Sequence, residues 1–221
     1  MLKYPCLVLD HDDTVVQSEA TLNYPCFCDI LDRFRPGEKI TLTQYINACC
    51  QLPFAEMCRQ RYGFSDEELQ AEYLIWKDYI RTHTPDPFPG IERIIRRQKE
   101  EGGLVCVVSL SGTENILRDY QAHFGIVPDA IYSWDLPEHL RKPNTYPLKS
   151  IMETYHLSPA QLLMVDDMKP GAQMAKAMGV PVAFAAWSRL DYPQIMEQMT
   201  AISDFTFRKT QELEEFLFRE E

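Results

Sequence analysis

Five short apolar runs punctuate the chain, and each borders turn residues before the period changes. CLVL stops at Asp10, LVCVV at Ser109 and LLMV at Asp166, while AIYSW follows Asp129 and PVAFAAW follows Gly179. Runs with so little polar alternation suit strands buried on both faces of a parallel sheet. Between them apolar residues recur at helical spacing. Ile91, Ile94 and Ile95 form one such segment, closed by Gly102-Gly103; Ile116, Leu117 and Tyr120 form another, closed by Gly125. A third holds Leu148, Ile151, Met152 and Tyr155, and a fourth runs from Gly171 through Met174, Ala175 and Met178 to Gly179. Strands alternating with helices predict an α/β fold, an open, doubly wound, mainly parallel sheet of Rossmann-like type.

Residues 17–86 break this rhythm. They carry helical patterns, including a capping box at Ser65-Asp66-Glu67-Glu68 ahead of Leu69, Tyr73 and Trp76, but no buried strand. The return, THTPDPFPG, places Pro85, Pro87 and Pro89 in a stiff extended connector. The predicted organisation is a core of residues 1–16 and 87–221 with a helical cap of residues 17–86. The aromatic stripe Tyr73, Trp76 and Tyr79 reads as cap core, and Arg93, Arg96 and Arg97 as a solvated helix face.

Composition narrows the partners. With 221 residues, 45% hydrophobic and 25% charged, the chain can bury a real core. A formal net charge of −11 without a Lys/Arg cluster argues against a nucleic-acid polymer as partner. No run approaches the ~20 apolar residues of a membrane helix, and the start lacks a leader pattern, so a soluble, cytoplasmic protein with no membrane partner is expected. The seven cysteines, at 6, 26, 28, 49, 50, 58 and 106, lack the paired spacings of a zinc site or disulfide framework and read as reduced thiols, with Cys26/Cys28 a loose pair. The sequence leaves oligomeric state open.

The chemistry lies at strand ends. Asp10 and Asp12 follow the first strand, Ser109 the second, Lys142 (in RKPNTYP) the third, and Asp166 and Asp167 the fourth. In a parallel sheet these gather at one edge, where ligands bind. Crowded carboxylates call for a hard divalent cation with oxygen ligands, most simply Mg²⁺. A lysine and a hydroxyl suit the oxygens of a phosphate. His11 lies between two aspartates, yet strand alternation turns it to the opposite face, as a packed or hydrogen-bonded histidine.

The motifs LVLDHDDTV, VVSLS, RKPNTYP and LLMVDDMKPGAQMAKAMG, in that order, resemble those of the haloacid dehalogenase superfamily. FPGIERII and the helical insertion resemble its capped phosphatases, the phosphoglycolate phosphatase-like and beta-phosphoglucomutase-like branch. The resemblance implies that Asp10 is a nucleophile forming an aspartyl phosphate and Asp12 the acid and base. It implies Mg²⁺ bound by Asp10, the Asp12 carbonyl and Asp167 or Asp166, with Ser109 and Lys142 holding phosphoryl oxygens. The cap would exclude water and select the leaving group. Ser111 or backbone alone competes with Ser109, and Arg141 with Lys142. The fourth motif has Asp166 where glycine is frequent, and Gly171 where many members have an acid.

The function expected is a phosphoric monoester hydrolase acting on a small phosphorylated metabolite. A sugar phosphomutase of the same fold and a non-catalytic binding or regulatory member are the alternatives. Lys39, Arg59 and Arg61 are candidates for reaching an anionic second group on the substrate.

Overall fold

The computed structural model describes residues 2–219, with the side chain of Cys50 outside the description. The strands are β1 (Cys6–Leu9), β2 (Leu104–Val108), β3 (Ala130–Tyr132), β4 (Leu162–Asp166), β5 (Val182–Ala185) and β6 (Phe205–Phe207). They form one sheet in the order β3-β2-β1-β4-β5-β6, every pairing parallel. β6 adds an edge strand beyond the five apolar runs. Its three residues, Phe-Thr-Phe, are too short and too little buried to stand out as a run.

The period of two along each strand sorts the core into two layers. Leu7, Leu9, Val105, Val107, Leu163, Val165, Ala183 and Ala185 face one layer. There they meet α5 (Ile91–Glu100), α6 (Thr113–Phe124) and α10 (Thr210–Phe218). Cys6, Val8, Cys106, Val108, Leu162, Met164, Val182 and Phe184 face the other, against α7 (Tyr146–Tyr155), α8 (Lys169–Ala177) and α9 (Pro193–Ile202). Helices on both faces make the sheet doubly wound, and β1 lies between strands reached in opposite directions. That reversal, at β1 and β4, opens a crevice at their carboxyl ends.

The chain divides into two compact units, Met1–Val16 with Pro87–Glu221, and Gln17–Asp86. The second is helical: a π-helical turn at Glu19–Asn23, then α1 (Tyr24–Phe34), α2 (Leu42–Gln51), α3 (Phe54–Tyr62) and α4 (Asp66–Thr82). Phe27, Ile30, Leu31, Tyr45 and Met57 are buried within it. Ser65 and Glu68 form the capping box at the start of α4, each side chain bonded to the other's backbone N–H. The stripe of α4 differs from its expected reading. Tyr73 is exposed while Trp76 and Tyr79 are half-buried, because the innermost positions are Glu72 and Ile80. Arg93, Arg96 and Arg97 do lie on an outer face, paired with Glu214, Glu92 and Glu101.

Cys6, Cys26, Cys28, Cys49, Cys58 and Cys106 are free thiols. Among the described residues no helix is long and apolar enough to cross a membrane.

Candidate active site

β1 delivers Asp10 to the crevice. Its backbone N–H donates to the carbonyl of Val165 at 2.9 Å, carrying the β1–β4 ladder one residue past β1. The chain then turns tightly. The N–H groups of Val15 and Val16 donate back to the His11 carbonyl, and Asp13 takes up left-handed backbone at φ 53°. This turn brings Asp13 and Thr14 to the same end of the sheet, whereas His11 keeps the parity of Leu7 and Leu9. His11 is accordingly buried on the α6 side, with Nε2 3.0 Å from Asp119 Oδ2 and its ring stacked on Tyr120.

Two buried cations each bridge two carboxylates. Lys142 Nζ lies 2.7 Å from Asp10 Oδ2 and 3.0 Å from Asp166 Oδ2. Arg189, in the segment after β5, donates through Nε to Asp167 Oδ2 at 2.7 Å and reaches Asp13 Oδ2 at 2.9 Å. Asp167 also accepts from Thr14 Oγ1 at 3.1 Å, and Asp166 from the Met168 N–H at 2.8 Å. Four buried carboxylates against two buried cations leave two formal negative charges.

The electrostatics follow. Burial alone would lower the Lys142 ammonium, but Asp10 and Asp166 outweigh it and hold its pKa above the ordinary value. Burial pushes Asp166 up to about 8, with Lys142 opposing and Asp10 adding to the rise. Asp167 is also raised by burial, against the pull of Arg189. These carboxylates are short of positive charge. One oxygen from each of Asp10, Asp166 and Asp167 falls within 4.8 Å of the others, a grouping that fits a hard divalent cation. Among the described residues this acidic group, and no set of cysteines, brings metal ligands together.

Gly171 permits the arrangement. A Cβ there would lie 1.9 Å from Asp166 Oδ2, so the first turn of α8 can pass the carboxylate only without a side chain. The other candidates lie at adjoining strand ends. Ser109 is buried just past β2, the neighbour of β1, and its Oγ accepts from the Ser111 N–H at 3.1 Å. Asp12 is half-buried in the turn, its backbone bridged to Val16. Arg141 Nε donates instead to the Leu136 carbonyl, and its guanidinium lies 3.9 Å from the centre of the Trp134 ring.

The sequence reading did not single out Arg189. Its signal was position, since SRL follows PVAFAAW and β5 is the neighbour of β4 in the sheet.

The profile of the haloacid dehalogenase-like hydrolases matches residues 7–185. No curated protein sequence matches the chain. Similar solved folds include a predicted phosphoglycolate phosphatase from Haemophilus somnus 129pt, 16% identical, TM-score 0.75, covering 98% of this chain and 99% of that one. A HAD-superfamily hydrolase of subfamily IA, variant 1, from Geobacter sulfurreducens PCA is 13% identical with TM-score 0.70, over 96% of each chain. A mutant of CbbY from Rhodobacter sphaeroides, in complex with xylulose-(1,5)bisphosphate, is 16% identical with TM-score 0.68, again over 96% of each. At these identities the likeness concerns the fold; the profile match, spanning β1 to the end of β5, carries the family. The chain belongs to the haloacid dehalogenase-like hydrolases.

Proposed function

We propose that this hydrolase is a Mg²⁺-dependent phosphatase that cleaves a small phosphorylated metabolite through an aspartyl phosphate on Asp10. The observation that carries the reading is the buried Asp10 carboxylate, held 2.7 Å from Lys142 and grouped with Asp166 and Asp167. The complex of the related fold with a sugar bisphosphate supports a phosphorylated small molecule as substrate class.

In this reading Asp10 attacks phosphorus while Asp12 gives its proton to the leaving oxygen as the ester P–O bond breaks. Asp12, now a carboxylate, takes a proton from water, which attacks the phosphorus and releases phosphate and a free Asp10. Lys142 and Ser109, with the N–H groups after Ser109, hold the phosphoryl oxygens as charge spreads over them. Asp10, the Asp12 carbonyl and Asp167, with Asp166 beside it, would hold Mg²⁺, which neutralises charge shared between carboxylates and phosphate. Arg189 and Thr14 fix the Asp167 carboxylate.

Release of phosphate from a broad panel of phosphorylated metabolites, with Mg²⁺ and with EDTA, tests this. Turnover that needs Mg²⁺ and vanishes in Asp10→Asn is expected. Full rate in that variant, or no release across the panel, sinks the reading, and isomerised sugar phosphate without free phosphate would assign a mutase.

A further inference from the structure

The Gln17–Asp86 unit contains a cavity of about 340 Å³, and half of the residues that line it are aromatic. Phe27 is central, its ring 5.3 Å from Tyr45 and 5.5 Å from Phe54. Trp76 lies 6.0 Å from Tyr73 and donates its indole N–H to Asn23 Oδ1 at 3.0 Å, which fixes the indole by its polar edge. Tyr73 remains 49% exposed. A volume of this order holds a small organic molecule.

Two carboxylates share these walls, Glu19 and Glu72, and no Lys, Arg or His does. Glu72 occupies a position on the inner stripe of α4 where an amphipathic helix ordinarily carries an apolar residue. It is 8% exposed, and among the described residues it makes no hydrogen bond and no ion pair. Leaving a carboxyl so placed is costly, and burial pushes it up to about 7. The cations considered for reaching an anionic group do not line the cavity, and Arg59 is engaged with Asp66 at 2.8 Å. Aromatic faces present negative electrostatic potential to a cation, and a buried carboxylate gives that cation a counter-charge. A phosphate or carboxylate ligand would meet repulsion from both acids.

We infer that this cavity is a binding site for a small organic cation, an alkylammonium whose charged end meets Glu72 and whose alkyl surface lies on the aromatic rings. The ammonium has two sources, the leaving group of a phosphomonoester or a free amine, and the inference stands apart from the phosphatase reading because binding is measurable without turnover.

Titration calorimetry of the full chain with choline and with n-butylammonium tests it, beside 3,3-dimethyl-1-butanol as the neutral isostere of choline. At least one cation is expected to bind at least tenfold more tightly than the neutral alcohol. Glu72→Gln, which keeps the side-chain shape, and Trp76→Leu should each weaken that binding at least tenfold, with folding checked by circular dichroism. Asp10→Asn should leave it unchanged. Absence of binding by both cations, equal affinity for the alcohol, or unchanged affinity in a folded Glu72→Gln overturns the inference. Where binding holds, a kcat/KM for phosphocholine at least tenfold above that for glycerol phosphate assigns the ammonium to a substrate. Equal values assign it to a free amine.

Discussion

Two places in this chain gather carboxylates, and they treat them in opposite ways. At the sheet crevice, Asp10, Asp13, Asp166 and Asp167 are threaded by Lys142 and Arg189, with separations of 2.7 Å to 3.0 Å recorded across three of the bridges. In the cavity of the helical unit, Glu72 faces rings and has no built-in cation. The first arrangement carries its own cations beside a carboxylate group that fits a hard divalent ion. The second leaves a carboxyl whose charge is stabilised only by what enters. Burial raises a carboxyl in both places, Asp166 to about 8 and Glu72 to about 7, so what separates them is the fixed counter-charge that Lys142 and Arg189 supply to the crevice and that the cavity wall lacks.

The comparison can be broken at several points. After Asp10→Asn, the largest effect belongs to Asp12→Asn, which should lower phosphate release by about 10²–10⁴-fold while leaving the ion-paired cluster intact. A pre-steady-state burst assay would show whether proton donation or water activation is lost, and an unchanged rate would remove Asp12 from the chemistry. Next comes Arg189→Met. It strands Asp13 and Asp167 without their cation and should cost about 3–5 kcal/mol in urea unfolding without Mg²⁺. A loss under about 1 kcal/mol would show that Asp13 and Asp167 do not depend on Arg189.

Glu72→Gln tests the other side and has the smallest effect. The carboxyl is raised from 4.5 to about 7 by burial, with the thiols of Cys26 and Cys58 close enough to feel its charge. Between these values the folded chain keeps the proton that the unfolded chain has lost, so stability from this group falls as pH rises through the window and is flat above it. Relative to wild type, the variant should therefore gain up to about 3 kcal/mol at pH 8, and the gain should shrink to under about 0.5 kcal/mol at pH 4.5. A pH-independent difference would show that Glu72 titrates alike in the folded and the unfolded chain, so that burial does not hold its proton.

What could be read in advance follows from how each feature is encoded. Apolar runs such as CLVL and LLMVD are dense enough to mark buried strands without any knowledge of their neighbours. β6 is three residues on an edge, and an edge strand shares too little burial to separate from a loop. In the site, Asp10, Lys142, Asp166 and Asp167 stand out because each follows a recognisable strand or motif, and the fold brings them together. Arg189 does not stand out, since a single arginine among surface-like residues acquires meaning only when β5 brings it against Asp167. Tyr73 was misplaced for a related reason. Helical spacing marks a stripe, but the depth of each position within it depends on the helices packed against it, and here Glu72 took the inner place.

The hydrogen bond from the Asp10 N–H to the Val165 carbonyl has a consequence in time as well as space. The β1–β4 register pairs Cys6 with Leu162, joining the chain's first strand to one that is synthesised only after the helical unit, two α/β repeats and α7. Pairing across such a distance is among the slower steps available to a folding chain. A nascent polypeptide thus displays Asp10 early but has neither Asp166 nor Arg189 to set beside it. If the proposed phosphatase reading holds, turnover should begin only when the centre of the sheet has closed, and the appearance of phosphate release during refolding would be a direct clock for that event.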